Sequence, residues 1–352
     1  MADKEEISAV TSILQSRTLT SAANHGGKHV QLFEKQASSF TKSKYAVAVN
    51  SGTAALQAAL LALDLKKGDE VLLPSFTFVA TANAVYSVGA KPVFVDIKKE
   101  DYTIDPADCK RKITKKTRAI IPVHLYGNVA DVQQLSEISK QHSIPIIEDA
   151  AQSLGSTYKG KHTGTFFEMG CYSMYATKVM TAGEGGFVVT NNRKLRDRLL
   201  MIRNHGMMKG HATRIFGLNL RLPEISAAIA TIQIKRLSKF LKARKSNATY
   251  LSKLISDLKV DLPKSKRCEN VNWYLYTIAT SKRGKLLKAL NEKGIGAAVY
   301  YTTPVHKTPF YKSKIGLPVT DWAASSVLSL PIHPKVTKKN LDVIAKIMHE
   351  VL

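Results

Sequence analysis

The chain is short of several things, and each shortage narrows what it is. Its 352 residues hold three cysteines, Cys109, Cys171 and Cys268, far apart and without pattern. They suit a reducing compartment, the cytoplasm, better than a disulfide framework. No apolar run reaches the roughly 18 residues a membrane span needs, so no transmembrane helix is expected. The opening MADKEEISAV has acidic residues and no apolar core of signal-peptide length. Also missing are a GxxxxGK[ST] loop, a GxGxxG after a strand, a GxSxG elbow, an HExxH pair and a CxxC pair. Their absence argues against phosphate-loop, dinucleotide, serine-hydrolase, zinc-protease and thiol-redox chemistry. His124, His205 and His306 lack metal-ligand spacing, and no metal is expected.

Acidic residues are scarce too. Asp and Glu number 27 against 52 Lys and Arg, a formal net charge of +25. The lysines are scattered, with modest clusters at Lys110-Arg111-Lys112, Lys115-Lys116 and Lys338-Lys339. A nucleic-acid binder concentrates its charge in a stripe or tail. No helix-turn-helix or finger pattern stands out, so nucleic acid is not an expected partner. The remaining readings are a solvated lysine-rich surface or a positive field that helps an anionic substrate.

What is present is an alternating pattern. Residues 5–15 and 30–41 read as amphipathic helices. YAVAVNSGTAALQAALLAL reads as strand, turn and helix, and EVLLPSFTFVATANAVYSVG repeats the plan. KPVFVDI, RAIIPVHLYG and IPIIEDAAQS extend it to about residue 150. Such βαβ units imply an α/β fold with a mostly parallel sheet and helices on both faces. A long basic helix is expected over Leu222 to Leu258, leading into a second lobe. There WYLYTIAT and AAVYY read as strands around the helix RGKLLKALNEKG. A final helix covers 337–351. The expected division is 1–240 for a large lobe and 241–352 for a smaller C-terminal α/β lobe.

Asp149 ends the apolar run IPIIED, and Lys178 follows 29 residues later, before Gly183, Gly185 and Gly186. This set, with the separate SGT turn at 51–53, points to pyridoxal 5'-phosphate with Lys178 as covalent anchor. A strand-end carboxylate beside the pyridine nitrogen keeps the ring protonated and electron-poor. The same Asp could simply cap the next helix. Gln152 could reach the ring hydroxyl, and Phe78 could stack on the ring or sit in a core. Gly52 and Thr53 open a helix after a strand, a ready anion site or an ordinary helix cap. Ser173 could add a hydroxyl to the phosphate.

Nine segments then bear a family resemblance: NSGTAAL, PSFTFVATANAV, PVFVDI, PVHLYGN, IEDAAQSLGS, YSMYATKVMTAGEGGFVVTNN, GLNLRLPEISAAIATIQI, GIGAAVYYTTPVH and LSLPIHP. In this order, from about residue 30 to 334, the chain resembles the DegT/StrS family of nucleotide-sugar aminotransferases, of PLP fold type I. The resemblance implies that Lys178 anchors the cofactor and Asp149 faces its pyridine nitrogen. It sets Gln152 near the ring hydroxyl, Phe78 on the ring, and Gly52, Thr53 and Ser173 at the phosphate. Asn219 would reach the phosphate in the neighbouring subunit of a homodimer, and His306 would stand at the substrate side of the cleft. The implied reaction moves an amino group from an amino acid, glutamate first, to a keto-sugar on a nucleoside diphosphate. A lysine at 178, where dehydratase relatives carry histidine, favours amino transfer over dehydration. A PLP-dependent sugar dehydratase of the same family is the second alternative, and a non-catalytic regulatory or nucleic-acid-binding relative the third. SRTLTSAANHGGKHVQLFE and HGMMKGHATRIF depart from the family pattern and leave the sugar open.

Overall fold

The computed structural model describes residues 3–208, 210, 212–264 and 269–352. Cys268 lies outside the described residues, as do positions 209 and 211 within HGMMKGHATRIF.

Helices α1 (Lys4–Ser16) and α2 (Lys28–Thr41) open the chain. Strand β1 (Tyr45–Val49) follows, and Ser51 caps α3 (Gly52–Ala62) by accepting the Ala54 N–H at 3.0 Å. α3 is built of Ala and Leu on nearly every face and is correspondingly buried. The βα alternation continues through β2 (Glu70–Pro74), α4 (Ala80–Ser87), β3 (Lys91–Val95), α5 (Pro106–Lys112), β4 (Thr117–Ile120), α6 (Val132–His142) and β5 (Ile147–Asp149). A small hairpin, β6 (Thr157–Tyr158) and β7 (Lys161–His162), leads to β8 (Met169–Ser173), β9 (Gly186–Thr190) and α7 (Arg193–Ile202).

Two sheets run side by side, ordered β1-β9-β8-β5 and β3-β2-β4. They join where Ile120 bridges Ile146 and Val123 bridges Asp149, both in parallel. β2 is parallel to β3 and β4, and β5 to β8; β9 runs antiparallel to both its neighbours. The mostly parallel arrangement brings the C-terminal ends of β1, β2, β5 and β8 to one side, where such sheets bind ligands.

The second half begins with α8 (Glu224–Leu254), then β10 (Tyr276–Ala279), α9 (Arg283–Glu292), α10 (Pro318–Ser326), β11 (Val327–Leu330) and α11 (Lys338–Val351). α8 has 31 residues, about 46 Å at 1.5 Å per residue. Its first half buries Ala227, Ala230, Ile234 and Leu237 in the core beneath β1 and β9. Its second half gives Ala248 and Leu251 to a separate core with Tyr276, Ile278, Leu328, Leu341 and Met348. Position 240 therefore lies inside an unbroken helix that serves both cores. Truncating Leu237, fully buried, to alanine is expected to cost about 2–5 kcal/mol.

One sequence expectation changes here. AAVYY is not a strand: only Ala298 makes a bridge, to Ser329, and the neighbour of β10 is β11. The chain leaves the sheet because Tyr301 turns to the large lobe, packing with Phe76 and Tyr126. Among the described residues no helix is long and apolar enough to cross a membrane.

Candidate active site

Asp149 is 5% exposed at the end of β5. Its Oδ2 accepts the Thr81 hydroxyl at 2.9 Å and its Oδ1 the Ala151 N–H at 3.1 Å. Burial pushes its carboxyl above the usual value; Thr81, Ala151, Lys178 and His124 oppose that without cancelling it. A buried carboxylate of this kind is relieved by a cation placed against it.

Glu148, the preceding residue, has a different task. Fully buried, it accepts backbone N–H groups from Gly164, Phe166 and Phe167 at 2.6, 2.8 and 3.0 Å. His124 Nε2 lies 3.0 Å from it, while His124 Nδ1 accepts the Ala130 N–H at 3.1 Å. The imidazole proton therefore sits on Nε2 and points at Glu148. All four acceptor positions of this carboxylate are used, which fixes the backbone on which Asp149 stands.

A cavity of ≈440 Å³ opens over Asp149, walled by Gly52, Thr53, Phe78, Gln152, Ser173 and Lys178 among others. The structure thus brings together Asp149 and these six, all expected from sequence. Lys178 Nζ is 3.5 Å from the Tyr274 hydroxyl and 4.7 Å above the centre of its ring. Phe78 stands at the cavity with 60% of its surface exposed. An apolar ring left bare over a cavity is a stacking platform.

Gly52 is needed for proximity: a Cβ there would lie 2.7 Å from Ser173 Cβ and 3.0 Å from Ser173 Oγ. The N–H groups of Gly52 and Thr53 begin α3 and have no acceptor within the helix. Together with the Ser173 hydroxyl they form an anion cradle at a positive helix end. Gln152 is oriented by its neighbours. Its Oε1 accepts the Tyr126 N–H at 3.0 Å, so its amide nitrogen donates, here to the Tyr301 hydroxyl at 2.7 Å. Gln152 can therefore offer the cavity only N–H.

Two expected residues stand elsewhere. Asn219 is exposed outside this cavity; its carbonyl accepts the Asn50 side chain at 3.3 Å. His306 is fully buried in this chain and is not among the residues that line the cavity. Ser75 captures it: the Ser75 Oγ accepts the His306 N–H at 3.0 Å and lies 2.6 Å from Nδ1. Its ring packs near Phe94, and its Nε2 has no partner among the described residues.

Sequence reasoning missed Thr81, Tyr274, Tyr300 and Tyr301. Thr81 had a signal, since it follows Phe78 by three residues in PSFTFVAT and opens α4. The tyrosines lie far along the chain and come to the cleft only through the return from the second core.

The residues fit pyridoxal 5'-phosphate at each of its functional groups. The chain offers a cradle for the phosphate and a platform for the ring. Asp149 would serve the ring nitrogen, the Gln152 N–H the ring oxygen, and the Lys178 amine the carbonyl carbon.

The sequence matches the DegT/DnrJ/EryC1/StrS aminotransferase family over residues 1–349. It is 37% identical to a pleiotropic regulatory protein of Geobacillus stearothermophilus over 89% of this chain and 86% of that one. It is 36% identical to the dTDP-3-amino-3,4,6-trideoxy-alpha-D-glucose transaminase of Streptomyces venezuelae over 95% and 90%. The crystal structure of S. venezuelae DesV in complex with a ketimine intermediate superposes with a TM-score of 0.94 at 34% identity, covering 98% of this chain and 94% of that one. The chain belongs to the DegT/DnrJ/EryC1/StrS aminotransferase family.

Proposed function

We propose that this enzyme moves an amino group from an amino acid, glutamate being the first candidate, to the keto group of a nucleoside-diphosphate sugar. Like its family it is a pyridoxal 5'-phosphate-dependent aminotransferase. The observation that carries the reading is one cavity holding the Lys178 amine, the buried Asp149 carboxylate and the Gly52–Ser173 cradle.

Pyridoxal 5'-phosphate, when bound, supplies an electron sink for the carbanion that forms at the amino-acid α-carbon. The chain does the rest. Lys178 would hold the cofactor through Nζ, and the same atom would serve as the base that takes up and returns the amino acid's α-proton. Tyr274 keeps the freed Nζ beside the reacting carbon through its hydroxyl and ring face. Asp149, pinned by Thr81, would maintain positive charge on the ring nitrogen. Gln152 would donate to the ring oxygen, Phe78 would cover one ring face, and Thr53 and Ser173 would hold the phosphate.

Asn219 belongs in this reading to the active site of a second copy. Its exposure supports this, as do the exposed Phe216 and Met208 on the same loop. Such a homodimer would have shared sites and work in the cytoplasm. The test is to load the purified protein with cofactor, add glutamate and follow bleaching of the cofactor absorbance. A panel of keto-sugar nucleotides is then read by mass for the aminated product. Release of ammonia without amino transfer would move the assignment to the dehydratases.

A further inference from the structure

Beyond Tyr274 the cleft adjoins a second cavity. It measures ≈420 Å³ and shares Thr177, Tyr274 and Tyr300 with the cavity that holds Lys178. Arg244 of α8, Leu275, the segment after α9, β11 with the segment after it, and Asn340 and Ile344 of α11 form the rest of its wall. Three of the described wall residues are basic or imidazole, Arg244, His333 and Lys335, and none is Asp or Glu.

Arg244 is the informative one. It is 8% exposed, and a buried guanidinium without a counter-charge is unfavourable. Its Nη1 donates to the carbonyls of Trp273 and Tyr274 at 3.0 and 3.1 Å, and its Nε has no partner among the described residues. Burial pushes the guanidinium down to about 10, with no carboxylate among the charges that act on it. It remains a cation at neutral pH. Burial first, then Arg244 and Lys335, push the His333 imidazole down as well. Among the described wall residues no carboxylate stands against Arg244.

The wall is built rather than loose. Asn247, one turn beyond Arg244 on α8, donates to the carbonyls of Ile332, His333 and Val336 at 3.3, 3.3 and 3.1 Å. The segment bearing His333 and Lys335 is thereby clamped to the helix bearing Arg244.

We propose that this second cavity is an oxyanion subsite, in which Arg244, His333 and Lys335 bind the anionic end of a substrate whose reacting carbon lies at Lys178. The inference rests on the aminotransferase reading. Two reactants carry an oxyanion away from the reacting carbon: an acidic amino acid, through its side-chain carboxylate, and the nucleotide sugar, through its diphosphate. A guanidinium receives both in the same way.

The experiment compares the cofactor-loaded wild type with the double variant His333→Gln, Lys335→Gln. Both residues are exposed, so the fold does not depend on them as it does on Arg244. Calorimetric titration with glutarate and with pyrophosphate reads the subsite without turnover. Steady-state kinetics then give kcat/KM separately for donor and acceptor. The expected result is a loss of about tenfold in affinity for one probe, with a matching loss of kcat/KM for one substrate. Glutarate with the amino donor identifies the carboxylate; pyrophosphate with the sugar identifies the diphosphate. Unchanged binding of both probes, or a probe loss with no matching kinetic loss, overturns the proposal. Equal losses for both substrates that vanish in high salt overturn it too, since they mark long-range attraction. Failure of the aminotransferase reading would show differently, as absent turnover with probe binding intact.

Discussion

The Thr81 hydroxyl donates to Asp149 Oδ2 at 2.9 Å across 68 residues of chain. It ties the start of α4 to the end of β5 and fixes the carboxylate proposed to face the ring nitrogen. Replacing Asp149 separates the stability of the site from its chemistry. The folded, cofactor-free protein holds the Asp149 proton to higher pH than the unfolded chain, whose value is 3.8. Stability from this group is present below that value and is lost as pH rises through the raised one. Asp149→Asn escapes the loss. Without cofactor the variant is expected to melt above the wild type at neutral pH, the gap closing toward about pH 4. Its amino-transfer rate is expected to fall by about a hundredfold or more. Calorimetry at two pH values and a rate assay check both.

Lys178→Ala is expected to lose borohydride-fixable cofactor altogether and to slow amino transfer by at least about a hundredfold. Peptide mass mapping of the reduced wild type should find the adduct on Lys178. An adduct of equal yield in the variant would remove Lys178 from its assigned role.

Gly52→Ala forces a Cβ to within 2.7 Å of Ser173 Cβ. The start of α3 must then shift away from β8, and cofactor affinity is expected to fall by about tenfold or more. Adding Ser173→Gly gives back the space but not the hydroxyl, so recovery should be partial. Equilibrium titration of cofactor into each variant measures it.

Glu148→Ala leaves one buried and two partly buried N–H groups and the His124 ring without their acceptor. A loss of about 3–5 kcal/mol in unfolding free energy is expected from denaturant titration.

His306→Gln tests a role in stability rather than in substrate binding. Burial pushes the His306 imidazole below its ordinary 6.5. The unfolded chain therefore takes up a proton on acidification before the fold does. Stability from this group is full above that value and is lost as pH falls below it. The wild type should lose stability between about pH 7 and 5 more steeply than the variant. The trend persists in part because His162 and His333 are shifted the same way. KM for both substrates should stay unchanged.

Much of this was legible in the chain. Strand ends with short polar turns announced Asp149, Gly52 and Ser173, because each follows an apolar run of β length and stands at the sheet's binding edge. Lys178 was legible from the glycines after it. The partners were not. Tyr274 and Tyr301 reach the cleft through contacts between the two cores, and periodicity carries no record of such contacts. The contact of His306 was hidden for the same reason: nothing local shows that Ser75, 231 residues away, meets its ring. Arg244 read as one more cation on a basic helix until its burial showed how little opposes it.

Phe78, Tyr175 and Tyr300 hold rings to solvent with 60%, 47% and 46% of their surface exposed. Bare apolar rings invite other molecules to cover them. A ligand that covers such rings also shifts the folding balance by mass action. Vitamin supply then becomes a matter of protein quality. Cells starved of the cofactor's precursor should yield aggregates of this enzyme, and cells fed it a protein that keeps on the shelf.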